Sequence, residues 1–226
     1  MPHKKNLDIL SLFRELPTGN IVDAMAKLKL PRGVIIGGPK AIAIQQPRMA
    51  GYACTVQQMP RHQTSEGANL SKHLQVINSI SQPGDVLVVD VGGRNDVCSG
   101  GGMLALRAQK RGLAGFVING CYRDINDVYR SGFPLFCTGA TPIKSSPLLE
   151  TVGINVPVVV GGVQIRPGDL IVGDETGIVV IPTEEIDRVL KTATRSKNVE
   201  EYMTGLILEG HDYVEARKEA EAKFPE

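Results

Sequence analysis

Apolar residues at positions 7, 9, 10, 12, 13 and 16 recur with a helical period, so residues 7–16 read as a helix that ends before Pro17. Thr18-Gly19-Asn20 then offers an N-cap for a second helix over 21–28, with Asp23 in the first turn, where the helix dipole favours a carboxylate. Residues 31–38, with Pro31 and three glycines, break the pattern. Residues 41–44 and 49–56 read as strands, the polar run 57–69 as a loop, and 70–80 as a helix closed by Gln82-Pro83-Gly84.

The middle of the chain has a different rhythm. Pro83-Gly84-Asp85 is a turn feeding Val86-Leu87-Val88-Val89, a run apolar enough to be buried on both faces. Cys98-Ser99-Gly100-Gly101-Gly102 opens a helix over 103–111, a strand follows at 114–118, and Asn119-Gly120-Cys121-Tyr122-Arg123-Asp124 leads into helical turns at 125–131. Residues 133–138 form a further short strand, and Pro157-Val158-Val159-Val160-Gly161-Gly162 reads as one half of a hairpin. A second Pro-Gly-Asp turn, Pro167-Gly168-Asp169, suggests a sheet corner equivalent to the first, and 177–182 is the last strand. Thr183-Glu184-Glu185 starts a helical tail over about 183–226, with a break expected around 196–198. Many short strands, few crossover helices and helices at both ends predict an α+β layered fold in a single domain over 1–226.

Composition narrows the function. With 42% hydrophobic and 22% charged residues the chain can bury a real core. A formal net charge of +1, no dense basic block and no Trp speak against a nucleic-acid partner. No apolar run is long enough for a bilayer, the N-terminus lacks the apolar core of a signal peptide, and Cys54, Cys98, Cys121 and Cys137 show no paired spacing. A reduced, cytoplasmic protein with no membrane partner is the expectation.

Two segments carry candidate chemistry. Amides at the head of a helix opened by Ser99-Gly100-Gly101-Gly102-Met103-Leu104 form an anion site, because nothing blocks close approach. The spacing fits neither a Rossmann fingerprint nor a P-loop, so a carboxylate is the better ligand, and a plain flexible turn is the alternative. Arg123-Asp124 follows a buried strand at its carboxyl end, where sites of α/β sheets gather. Arg suits a carboxylate or an enolate oxygen, and Asp is a hard ligand for Mg²⁺ or Mn²⁺, with Asp127 on the same face. A surface salt bridge is the simpler reading of the pair. His3, His62, His73 and His211 lack a zinc-ligand spacing. Cys121 beside Arg123 could be an activated thiol but suits a small buried hydrophobe better, and Glu200 and Glu201 read as a solvated helix face.

In order, Gly84-Asp85-x-Leu-Val-Val-Asp, Gly-Gly-Met-Leu-Ala, Tyr-Arg-Asp, Ser-Gly-Phe-Pro-Leu-Phe and Gly-Asp-x-x-Gly-Ile-Val-Val-Ile-Pro resemble the 4-hydroxy-4-methyl-2-oxoglutarate aldolase/regulator of ribonuclease activity A (RraA-like) family over roughly 20–210. Gly102, Arg123, Asp124 and Asp127 meet its Gly-x20-Arg-Asp-x2-Glu/Asp signature. The resemblance implies a layered β/β/α, swivelling-domain-like sandwich with N- and C-terminal helices, assembled as trimers or hexamers with sites at subunit interfaces. It implies a Mg²⁺- or Mn²⁺-dependent lyase that cleaves a 4-hydroxy-2-oxo acid of the 4-hydroxy-4-methyl-2-oxoglutarate or 4-carboxy-4-hydroxy-2-oxoadipate type through a pyruvate enolate, with oxaloacetate decarboxylation as companion reaction. Gly101, Gly102, Met103 and Leu104 would bind the substrate carboxylate, Arg123 the keto or enolate oxygen, and Asp124 the metal, with Glu200 or Glu201 from a neighbouring subunit. Aldolases of the family often carry an acid where this chain has Gly102, whereas regulator members tend to lack the Asp found here at 124. The alternative is a non-catalytic, protein-binding regulator.

Overall fold

The structure, a computed structural model, describes residues 6–43, 48–66 and 70–225. Helix α1 (Leu7–Arg14) is capped by the Asn6 side chain, which accepts from the Asp8 amide at 3.0 Å, and buries Leu10 and Phe13. Helix α2 (Thr18–Lys27) starts three residues earlier than its pattern suggests. Its cap comes from elsewhere in the chain: Asp174 accepts from the Thr18 amide at 3.0 Å and from the Thr18 hydroxyl at 2.8 Å. Strand β1 (Lys40–Ala43) follows, and the remaining residue of that predicted strand, Ile44, lies outside the described residues.

The centre of the fold is wound more regularly than the sequence suggests. Strands β2 (Met49–Pro60), β3 (Asp85–Asp90), β4 (Gly115–Tyr122) and β5 (Leu135–Ala140) are neighbours and parallel. Each connection carries a helix: α3 (His73–Gln75, continued by a π-helical segment Val76–Ile80), α4 (Gly102–Lys110) and α5 (Ile125–Ser131). Three crossovers of one hand, each stepping the same way across the sheet, put all three helices on one face. Val76, Ile77, Ala105, Ala108 and Val128 accordingly share a core with Cys54, Val56, Leu87, Val89, Phe116 and Ile118. Phe116 and Phe133 meet edge to face there at 4.9 Å.

Beyond β5 come β6 (Leu149–Ile154), the hairpin β7 (Val158–Val160) and β8 (Val163–Ile165), then β9 (Leu170–Gly173) and β10 (Ile178–Ile181). The sheet order is β1-β5-β4-β3-β2-β9-β10, with β6 also paired to β2. Val158, Val160 and Ile165 of the hairpin cover the face opposite the crossover helices, against Val86, Val88, Val117 and Phe136. Hairpin, sheet and helices are three layers, β/β/α, and the α+β layered expectation holds. A 3₁₀ turn, Thr183–Glu185, opens α6 (Ile186–Leu208), which with α1 and α2 packs on the β9–β10 end of the sheet. Helix α7 (Tyr213–Lys223) closes the chain, folded back on α6 through Ala216 and Ala220.

The two Pro-Gly-Asp corners are equivalent. In each the aspartate carboxylate accepts from an amide three residues back, Gln82 or Arg166, at 2.8 Å, with Gly84 at φ +83° and Gly168 at φ +93°. Both flank the same stretch of β2: Gly84 O accepts from the Tyr52 amide, and Ala53 exchanges bonds with Gly168 and Asp169.

Three expectations need correction. The run from Gln57 is not all loop: β2 continues to Pro60, and its partner there is β6, a strand the pattern does not announce. A polar strand is stable at this place because its side chains are paired internally. Gln58, almost fully buried, accepts from the Ser99 hydroxyl at 2.8 Å and donates to Ser71 O at 3.3 Å and Thr151 Oγ1 at 3.4 Å. No break occurs at 196–198: Ser196 is buried and accepts from Lys27 Nζ at 3.1 Å, and the interruption falls at Gly210 instead, at φ +95°. Helix α3 is much shorter than the predicted 70–80 and passes into π geometry.

His73 sits behind this network, buried, and its Nε2 finds no partner among the described residues. Burial pushes the imidazole down from 6.5 to about 4, against a smaller opposing pull from a hydrogen bond with the Ser99 backbone. As pH falls below 6.5 the unfolded chain takes up this proton first, so stability declines until about pH 4. That decline amounts to about 3 kcal/mol. A His73→Leu variant is expected to lack this component, which urea unfolding at a series of pH values would show as a flatter profile than that of the wild type.

Candidate active site

The site is built by the loop between β3 and α4 running back along the end of β4. The backbone of Cys98 pairs with that of Cys121 as an isolated parallel β-bridge, the Ser99 amide donates to Cys121 O at 2.8 Å, and the Arg123 amide donates to Gly100 O at 3.1 Å. A register shift in β4 between Ile118 and Cys121 accompanies this pairing. Gly101 and Gly102 thereby lie opposite Arg123 and Asp124. Tyr122, fully buried, fixes the height of the loop: its hydroxyl donates to Gly101 O at 2.9 Å, and Gly100 rests on its ring, where a Cβ would come within 2.5 Å of Cε2. Burial holds the Tyr122 phenol well above its ordinary range, so it stays a donor.

Gly101 is the N-cap of α4 and Asp124 that of α5. Asp124 has φ +56°, a left-handed backbone that Asp tolerates better than most residues. Its carbonyl accepts from the Asp127 and Val128 amides, as a cap should, but its carboxylate crosses to the neighbouring helix. There Oδ2 accepts from the Gly102 amide at 3.0 Å and lies 3.6 Å from Arg123 Nε. The two side chains are 44% and 43% exposed, and an ion pair so long and so wet adds little stability, which argues against a purely structural role.

A cleft of about 370 Å³ opens over the pair, lined by Arg123, Asp124, Ile125, Ala140, Thr141 and Pro142. It stands at the carboxyl ends of β4 and β5, and Thr141 is held there by its amide donating to Tyr122 O at 3.2 Å. Thr141 and Pro142 are the wall the sequence reading did not name; their signal is their place just after a buried strand, beside the end of β4.

Of the loop residues, Gly101 and Gly102 meet the Arg-Asp pair directly. Met103 points out and is exposed, while Leu104 packs toward the helix-side core with its amide donating to Gly101 O at 3.0 Å. Glu200 and Glu201 are on α6, outside this cleft: Glu200 accepts from Asn20 Nδ2 at 2.7 Å, and Glu201 pairs with Lys197 at 3.4 Å. Cys98 and Cys121 are buried, and burial is the main cause that pushes both thiols up, so neither is an activated nucleophile.

Among the described residues no group of three or more His, Cys, Asp and Glu could hold a metal ion. The donors at the cleft nonetheless suit one class of ion. A Cβ on Gly102 would stand 3.4 Å from the Cβ atoms of both Asp124 and Asp127, so the two carboxylate-bearing side chains are neighbours beside the loop. Mg²⁺ and Mn²⁺ take hard oxygen donors, and Mg²⁺ characteristically uses one or two carboxylates while keeping several waters. A closed zinc site is not built here. No helix among the described residues is long and apolar enough to cross a membrane.

Comparison with known proteins agrees with this architecture. The RraA-like family model, described as aldolase/RraA, matches residues 18–180. A protein of Halalkalibacterium halodurans named "Putative 4-hydroxy-4-methyl-2-oxoglutarate aldolase" is 37% identical over 191 residues, 84% of each chain. A crystal structure of an uncharacterized protein from Pseudomonas syringae pv. tomato has a TM-score of 0.80 at 28% identity, covering 94% of this chain and 98% of that one. The Streptomyces coelicolor structure described as an unusual member of the RNase ES inhibitor RraA protein family has a TM-score of 0.76 at 30% identity, covering 88% and 97%. This chain belongs to the RraA-like, aldolase/RraA family.

Proposed function

We propose that this protein is a divalent-metal-dependent carbon–carbon lyase that cleaves a 4-hydroxy-2-oxo acid by a retro-aldol reaction, releasing pyruvate. The observation that carries this reading is the pairing of Arg123 and Asp124 at one open cleft, with the head of α4 joined to them through the bond from the Gly102 amide to Asp124. Backbone amides of the Gly101–Gly102 loop and the α4 dipole would take the substrate carboxylate. Arg123 would donate to the C2 carbonyl oxygen. When the C3–C4 bond breaks, its electrons enter the C2–C3 bond and negative charge develops on that oxygen, where a guanidinium is most effective. The C4 hydroxyl loses its proton to water and becomes the carbonyl of the second product, and protonation of C3 completes pyruvate. Asp124, with Asp127 beside it, would hold Mg²⁺ or Mn²⁺, which supplies Lewis-acid charge to the same transition state.

Substrates of the 4-hydroxy-4-methyl-2-oxoglutarate and 4-carboxy-4-hydroxy-2-oxoadipate type suit this chemistry, the first being the substrate in the name of the Halalkalibacterium relative. Loss of CO₂ from oxaloacetate generates the same enolate, so decarboxylation needs no further group. Assembly into trimers or hexamers would let Glu200 or Glu201 of a neighbouring copy approach the metal. Of the two, Glu201 is the easier to release, because its bridge to Lys197 is an exposed i,i+4 pair.

A second reading, a protein-binding regulator without turnover, draws on the RNase ES inhibitor family named for the Streptomyces relative. A pyruvate-release screen over 4-hydroxy-2-oxo acids and oxaloacetate, with Mg²⁺ or Mn²⁺, separates the two. The lyase reading expects release from at least one substrate. Silence across the whole panel, with tight binding to a ribonuclease, would favour the regulator.

A further inference from the structure

Helix α4 is capped by a residue that does not belong to it. Its own N-cap, Gly101, has no side chain to offer, and the amide of its first residue, Gly102, is satisfied instead by Asp124 Oδ2 at 3.0 Å. Asp124 itself stands at the N-cap position of α5 and makes no side-chain bond to that helix. A helix start leaves up to four amides in need of an acceptor, and a carboxylate satisfies both the amides and the dipole. The head of α4 is therefore an anion position that holds the protein's own anion. Packing supports this: a Cβ on Gly101 would come 2.5 Å from Asp124 Oδ2 and 2.9 Å from Arg123 Nε, so both side chains lie directly over the loop backbone.

We infer that Asp124 is an internal competitor for the substrate's carboxylate position and that a divalent cation, by taking the Asp124 carboxylate, frees the Gly102 amide for the ligand. This deepens the proposed function and rests on its assignment of cation and carboxylate to this loop. One carboxylate is asked to serve two partners: Gly102 in the free protein, the cation in the loaded one. The exchange sets an order, cation first and oxo acid second. It also releases Arg123 from its 3.6 Å contact, leaving the guanidinium for the ligand. Because binding couplings are reciprocal, a carboxylate seated on the loop would in turn strengthen cation binding.

The test uses pyruvate as probe and protein stripped of metal with EDTA, followed by calorimetry. Asp124→Ala empties the loop and is expected to bind pyruvate about tenfold tighter than the wild type, equivalent to about 1.4 kcal/mol. Asp124→Asn removes the charge but keeps an oxygen that can accept from Gly102, and it should stay within about threefold of the wild type, the part due to like-charge repulsion at a half-exposed site. Equal affinities in the two variants would reduce the effect to charge and overturn the inference, as would the absence of any gain in Asp124→Ala. In the wild-type protein, Mg²⁺ alone is expected to speed hydrogen exchange at the Gly102 amide, and an unchanged rate would also overturn it. Neither measurement reads turnover. A protein that never released pyruvate could pass both, and an active lyase could fail both.

Discussion

Asp124→Ala, assayed with saturating Mg²⁺, is expected to lose pyruvate release by about 10²- to 10³-fold, in the range found when a group that stabilises developing charge is removed. The expectation follows from position. Asp124 is a carboxylate lining the cleft, it neighbours Arg123, and it shares the surroundings of Gly102 with Asp127. Loss of its bond to Gly102 costs α4 a cap, worth about 1 kcal/mol, which is not enough to unfold a domain with this much buried core. The left-handed backbone at Asp124 adds a complication, because Ala tolerates φ +56° less well than Asp. Asp124→Asn avoids it, since Asn adopts that conformation readily. Release should collapse in both variants while their thermal midpoints stay within a few degrees of the wild type. Full activity in the folded Asn variant would remove the carboxylate from the mechanism.

Gly101→Ala is the second large effect, and it works without replacing a charged residue. The backbone at Gly101 is extended, at φ −156°, so alanine brings no local strain. Its methyl would instead stand 2.5 Å from Asp124 Oδ2, 2.9 Å from Arg123 Nε and 3.0 Å from Arg123 Cγ. These are atoms of flexible side chains, so the chain can fold by swinging the pair away from the loop. A displacement of about 1 Å at reacting groups costs on the order of 10²-fold in kcat/KM. Gly102→Ala is the contrast: its Cβ meets Asp124 and Asp127 at 3.4 Å, an ordinary contact, and alanine favours a helix start over glycine. A small change at 102 and a large one at 101, read as kcat/KM against thermal midpoint, would show that the pair must lie over the loop. Equal losses at both positions would point to the loop's general flexibility instead.

How much of this was legible in the chain depends on the distance over which each feature is decided. Strand β3, helix α5 and the β7–β8 hairpin are local, set by an apolar run between turn residues, and the pattern located them closely. The end of β2 and the whole of β6 were hidden together, because Gln57 and Gln58 look like loop residues until Ser99, Ser71 and Thr151 are there to pair with them. Ser196 looked like a helix break for the same reason: its partner, Lys27, is 169 residues away.

The site divides along the same line. Gly101, Gly102, Arg123 and Asp124 could be named from residue type and placement beside strands and helices. That the Asp124 side chain caps α4 rather than its own helix could not, since it requires the loop to run along β4 from Cys98 to Gly100. The far wall at Ala140, Thr141 and Pro142 was missed because the predicted strand stopped at Thr138, short of the cleft that β5 reaches.

The central claim is tested most directly by following pyruvate release from 4-hydroxy-4-methyl-2-oxoglutarate in the wild-type protein, first with Mg²⁺, then with excess EDTA, then with Mg²⁺ restored. The account predicts release with Mg²⁺, its loss in EDTA and its recovery on restoration. Undiminished release in EDTA would contradict it.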